Sequence, residues 1–218
     1  TRVPKEGTTK TRLYDFMSPT EAVNIQKKLL KKNYDLLAET NRELLVCHDG
    51  NSSDDKEMAE LISCDKFYYQ KGDNLGDKMY NALEEVISDS KVILLGSDIF
   101  NLDKDIIEEA FEKLETHDVV INPSEDGGYF LIGMKKAIKE VFDLPSYGDS
   151  SVLENLIKVL EKNNLNYYLG RAALDIDIKE DLLYAETGYK NIKLLGAGEY
   201  NINFTFDEDN MKKVLRLN

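Results

Sequence analysis

Apolar and polar positions along the chain switch repeatedly between a helical and an extended period. Ser18-Pro19-Thr20-Glu21 reads as a capping box with proline at the first helical position, and Ala22, Ile25, Leu29, Leu30, Tyr34 and Leu37 follow at helical spacing. "ELLVCH" then predicts a strand, "DKEMAELIS" a short helix, "KFYYQ" a strand, and Leu75 to Ile87 a helix with Leu75, Met79, Ala82, Leu83 and Val86 on one face. "KVILLG" is a continuous apolar run of strand length. A helix over Lys104 to Leu114 comes next, and then "DVVIN" as another buried strand.

Strands apolar on both faces and alternating with helices indicate an α/β fold, a mostly parallel sheet sandwiched between helices. In such sheets ligands bind outside the carboxyl ends of the strands. The residues just after each strand are therefore the candidates for chemistry. Asp98, in the "GSDIF" that ends "KVILLG", is placed to hold a hard cation that binds phosphate oxygens, although an aspartate there also suits a turn cap. After "DVVIN" the glycine pair of "PSEDGGYF" permits close approach of a ligand, and periodicity alone favours a hairpin turn into "YFLIG". In "DIDIKEDLL", Asp175 and Asp177 share one face of an extended segment and suggest a shared Mg²⁺, with an acidic helix cap at Glu180 and Asp181 as the alternative.

Charge sharpens one region. The net charge of -13 over 218 residues argues against a nucleic-acid surface. Residues 1–13 run the other way, with Arg2, Lys5, Lys10 and Arg12 against Glu6 alone. A compact polyanion such as a nucleotide would be drawn to that loop. No apolar run approaches the length of a membrane span, no signal peptide is evident, and the pattern points to a cytoplasmic protein. Cys47 and Cys64 show neither disulfide nor zinc-site spacing.

"GTTKTRL" at 7–13, "QKGDNLGDKM" at 70–79, "LLGSDIF" at 94–100, "DVVINPSEDGGYFLIG" at 118–133 and "DIDIKEDL" at 175–182 together resemble a family of small GT-A fold, glycosyltransferase-like transferases. More distantly they resemble the guanylyl- and cytidylyltransferases. The resemblance implies a three-layer α/β/α, Rossmann-like domain over residues 1–186 and a Mg (or Mn) cofactor. It implies that Gly7, Lys10, Thr11 and Arg12 wrap the phosphates of a nucleotide, with Gln70, Asn74 and Gly76 near its base or ribose. It makes Asp98 and Asp177 the metal carboxylates, with Lys10, Arg12 and Asp98 catalytic, and has Asp126, Gly127, Gly128 and Tyr129 line the acceptor pocket. Where the family usually has Cys-Pro after the metal aspartate, this chain has Ile99-Phe100. The superfamily also sets a buried strand directly before the basic loop, so some six to ten residues ahead of Thr1 are expected, at typical strand length.

Splitting the charge at Glu186 leaves residues 187–218 with five basic and four acidic groups, against -14 before them. "NIKLLGAGEYNINF…VLRLN" reads as a short β-meander and resembles the start of the nucleotide-binding lobe of choline and aminoglycoside kinases, which implies a kinase-like partner domain. The leading expectation is a Mg²⁺-dependent nucleotidyltransferase acting on a small phosphorylated molecule. A glycosyltransferase using an NDP-sugar and a non-catalytic nucleotide-binding domain are the alternatives.

Overall fold

A computed structural model describes residues 1–88 and 90–187. Helix α1 spans Pro19–Ala38. Its capping box is complete, with Ser18 Oγ accepting from Glu21 N–H and the Glu21 carboxylate accepting from Ser18 N–H. Ser18→Ala is expected to cost about 1 kcal/mol, read as a lower urea midpoint at unchanged slope.

The alternation continues through β1 (Val46–His48), α2 (Asp55–Ile62), β2 (Phe67–Tyr69), α3 (Leu75–Val86), β3 (Val92–Leu95), α4 (Lys104–Lys113), β4 (Val119–Pro123) and β5 (Tyr129–Met134). Helix α5 (Val152–Lys162), β6 (Tyr167–Leu169) and α6 (Lys179–Thr187) complete the described chain. The strand expected over "ELLVCH" is confined to its last three residues, and Leu45 is exposed.

Strands β1 and β2 pair in parallel as a small sheet of their own. The larger sheet has the order β3-β5-β4-β6. Strand β5 is antiparallel to both β3 and β4, and β4 is parallel to β6, so β3, β4 and β6 run in one direction. The glycine pair does make the hairpin: β4 turns directly into β5 with its register shifted at Asn122/Pro123. Thr1 lies between the two sheets, its amine donating to Cys47 O (2.7 Å) and its hydroxyl accepting from Ser97 Oγ (2.8 Å).

Strand alternation divides the core. Val119, Ile121, Ile132 and Met134 pack on Leu83 of α3 and on Leu156 and Leu160 of α5. On the opposite face Val120 and Leu131 meet Ile106, Ile107 and Ala110 of α4. The result is helix, sheet, helix in three layers, with the carboxyl ends of β3 and β4 opening at the same edge. Among the described residues, no helix is long and apolar enough to cross a membrane. The charge boundary at Glu186 falls in the last turn of α6, and the expected meander and kinase-like start lie outside the described residues.

Candidate active site

The basic loop is braced internally. Lys5 C=O accepts from Thr9 N–H (3.1 Å), and the buried Thr9 hydroxyl accepts from Lys5 N–H (2.9 Å). Arg2 donates to Thr8 C=O (2.9 Å), and Lys5 pairs with Asp54. Two of the four cations are thus spent on holding the loop, and the other two turn elsewhere. Lys10 sits in the left-handed region (φ 50°), just before the short 3-10 turn Thr11–Leu13. Its buried ammonium donates to Asp98 Oδ2 at 2.6 Å and lies 3.9 Å from Asp177 Oδ1. Arg12 is 61% exposed and donates to Asp177 Oδ2 at 2.7 Å.

Asp98 stands on an extended segment beyond β3 that is held from both edges. On one edge Ile176 N–H donates to Asp98 C=O (3.2 Å), and Phe100 N–H donates to Leu174 C=O (2.7 Å). On the other edge α1 supplies three side chains. Asn33 Nδ2 donates to Ser97 C=O (3.1 Å) and Ile99 C=O (2.9 Å), Lys32 Nζ donates to Phe100 C=O (2.6 Å), and Gln26 Nε2 donates to Ser97 Oγ (3.3 Å). Sequence reasoning passed over all three. The available signal was that Gln26 and Asn33 fall on the buried stripe of α1, among Ala22, Ile25, Leu29 and Leu30, where apolar residues would be cheaper.

Asp177 is fixed from its other side by Asp181, whose Oδ2 accepts from the backbone N–H of Asp177 (2.9 Å) and of Ile178 (2.8 Å). Asp175 lies near Asp126, Asp98 and Lys10. It is mostly buried, and desolvation first, then the nearby Asp126 and Asp98 charges, push its carboxyl up to about 6. The structure therefore brings Lys10, Arg12, Asp98 and Asp177 into one chain of contacts, with Asp175 and Asp126 beside it.

The remaining predicted residues divide. Asp126 caps its own turn, accepting from Ser124 Oγ and from Gly128 N–H (3.0 Å). Gly127 has φ +93°, and a Cβ there would lie 2.4 Å from Ser150 O, so this glycine serves a backbone crossing. The Tyr129 ring packs on the α3/α5 side of the core and its hydroxyl points at Met79 Sδ (3.8 Å); burial raises its pKa well above the usual range. Its neighbour Tyr147 donates to Phe142 C=O (2.9 Å) and, chiefly through burial, is pushed up to about 12. Gly76 abuts the same group, since a Cβ there would lie 2.2 Å from Phe142 O. Asn74 caps α3 by accepting from Asp77 N–H (2.9 Å), and Gln70 donates to Thr1 C=O (3.1 Å). Gly7 lies in open space with φ +81°, and Thr11 is exposed in the 3-10 turn.

The donors around Lys10 are carboxylate oxygens with no thiolate or imidazole among them, a set suited to a hard divalent cation. Among the described residues no group of three or more His, Cys, Asp or Glu side chains is close enough to hold a metal alone. Asp98 and Asp177 fit a cation that takes one or two protein carboxylates and completes its shell with phosphate oxygens and water.

Comparison with known proteins finds relatives over most of the chain. The chain is 31% identical over 183 residues to the 2-phospho-L-lactate guanylyltransferase of Methanocaldococcus jannaschii, covering 79% of this chain and 75% of that one. It is 29% identical over 199 residues to the enzyme of the same name from Methanocaldococcus sp. FS406-22, covering 87% of this chain and 82% of that one. A crystal structure from Desulfovibrio desulfuricans G20, described as a nucleotide-diphospho-sugar transferase, superposes with a TM-score of 0.81 at 26% identity, over 89% of this chain and 87% of that one. The fold is accordingly of the GT-A type. Residues 32–149 match the family model described as "Uncharacterized protein conserved in bacteria (DUF2064)", and the chain belongs to that family.

Proposed function

We propose that the protein is a Mg²⁺-dependent nucleotidyltransferase that moves a nucleoside monophosphate from an NTP to the phosphate of a small phosphorylated molecule and releases pyrophosphate. The observation that carries this reading is the charge chain Arg12–Asp177–Lys10–Asp98 at the sheet edge, in a chain related over most of its length to guanylyltransferases. GTP and a phosphorylated hydroxy acid such as 2-phospho-L-lactate are the first substrates to test.

An oxygen of the acceptor phosphate attacks the α-phosphorus, a new P–O bond forms in line, and the α–β bridging oxygen leaves with its electron pair on pyrophosphate. Lys10, whose ammonium is screened from water, stabilises charge on the triphosphate. Arg12, exposed and paired with Asp177, adds its charge to that of Lys10 on the outer phosphates. A bound Mg²⁺, held by Asp98 and Asp177, supplies neutralisation of the phosphate oxygens. Positioning and charge complementarity account for the rate, with no covalent protein intermediate.

Glycosyl transfer from an NDP-sugar is the second reading, favoured by the description of the Desulfovibrio structure. Pyrophosphate release from GTP, Mg²⁺ and 2-phospho-L-lactate is the expected result, and turnover of an NDP-sugar without pyrophosphate would overturn it. A screen of NTPs extends the test. At a hundredfold excess over Kd the cognate NTP adds about 2.7 kcal/mol to the stability of the folded state, read as a raised Tm.

A further inference from the structure

Asn33 is buried, with 2% residual exposure, two helical turns from Gln26 on the apolar stripe of α1, and among the described residues its Oδ1 has no hydrogen-bond partner. A leucine there would fill similar space without the orphaned oxygen, but would leave the two carbonyls opposite it without this donor. Its nitrogen is fully used: the two hydrogens of Nδ2 go to the carbonyls of Ser97 and Ile99, the residues on either side of Asp98. Both partners are acceptors, which fixes the orientation of the amide.

The backbone explains why this matters. At the isolated bridge between Ile99 and Asp175 the backbone pairs as extended chain, where neighbouring carbonyls point to opposite sides. Ser97 and Ile99 thus present their carbonyls to α1, while Asp98 presents its own to Ile176 N–H. One edge of the segment is paired with residues 174–176, which lead directly into Asp177, and on the other edge the Asn33 amide stands where a neighbouring strand would. The spacing between the Asp98 and Asp177 carboxylates depends on that segment keeping its register.

We infer that Asn33 is a positioning residue for Asp98, its amide clamping the two flanking carbonyls so that Asp98 and Asp177 meet a cation at fixed separation. The inference rests on the proposed role of these aspartates in holding a divalent cation.

Mn²⁺ binding in the presence of a non-hydrolysable GTP analogue, followed by electron paramagnetic resonance without acceptor, tests it. Asn33→Leu is expected to weaken Mn²⁺ binding by about 10-fold or more, the scale on which lost support of a metal ligand acts. Leu156→Ala, which opens the fully buried α5 core, serves as a destabilised control and is expected to bind Mn²⁺ like the native protein. In turnover, the Mg²⁺ concentration for half activity rises for Asn33→Leu, while the rate at saturating Mg²⁺ stays near the native one. If Asn33→Leu fails to fold, Asn33→Ser, whose single hydroxyl can serve one carbonyl only, is read in the same way. Native affinity in the Asn33 variant, or equal weakening in the Leu156 control, overturns the role of Asn33 alone. A native protein that binds no Mn²⁺ overturns the cation reading and this inference together.

Discussion

Asp98→Asn is expected to lower nucleotidyl transfer by about 10²–10³-fold, the scale of removing one preorganised electrostatic partner from an active site. The substitution keeps the shape and removes one charge. It thereby leaves the buried Lys10 ammonium with a neutral amide in place of its 2.6 Å charged partner, and with Asp177 at 3.9 Å as the nearest counter-charge. A modest loss of stability accompanies the loss of rate, on the order of 1–3 kcal/mol for an incompletely compensated buried donor. The backbone clamps on residues 97–100 do not involve this carboxylate, so the fold survives. Pyrophosphate release and a far-ultraviolet circular dichroism melt, on the same preparation, separate the two effects. Native turnover in the variant would remove Asp98 from the site.

Gly127→Ala is expected to cost roughly 2–4 kcal/mol, because a left-handed backbone penalty adds to an overlap that neither side can relieve. Its φ is +93°, and the added Cβ would meet Ser150 O, Cα and C at 2.4–2.9 Å, all of them backbone. The Gly127 carbonyl also accepts from Leu153 N–H (3.0 Å), which ties the β4–β5 hairpin to the start of α5. Gly7→Ala is the informative contrast. Gly7 has a comparable φ of +81° with nothing within 4 Å of an added Cβ, so only the conformational penalty applies, roughly 1 kcal/mol. Urea unfolding of both variants measures the difference, and equal losses would show that the crossing at Ser150 carries no load.

Local pattern made much of the fold legible. The α1 capping box and the apolar runs of β3 and β4 appear where the pattern places them, whereas of the expected α3 face Leu83 is buried and Leu75 is 48% exposed. Strand β5 was legible as the second arm of a hairpin, whereas its insertion between β3 and β4 was not, since pairing partners are chosen by the closing of the whole core. The residues near the sheet edge were readable as residue types after strands. Their partners were not, because Lys10 meets Asp98 across 88 positions and Arg12 meets Asp177 across 165. Tyr129 shows the limit from the other side: "DGGY" reads as a pocket motif, and the tyrosine ring faces the core. Asn33 was hidden because one polar residue in an amphipathic stripe resembles imperfect patterning until the carbonyls opposite it are seen.

The 165-residue separation between Arg12 and Asp177 has a consequence for biogenesis. Joining them closes a loop that contains nearly every described element, so the charge chain forms only after the intervening sheet has its order. During synthesis, Lys10 and Arg12 leave the ribosome early and wait for their late partner. On the proposed function, the site would become competent to bind a nucleotide only after chain growth has passed residue 177, which would make binding a reporter of the assembled sheet.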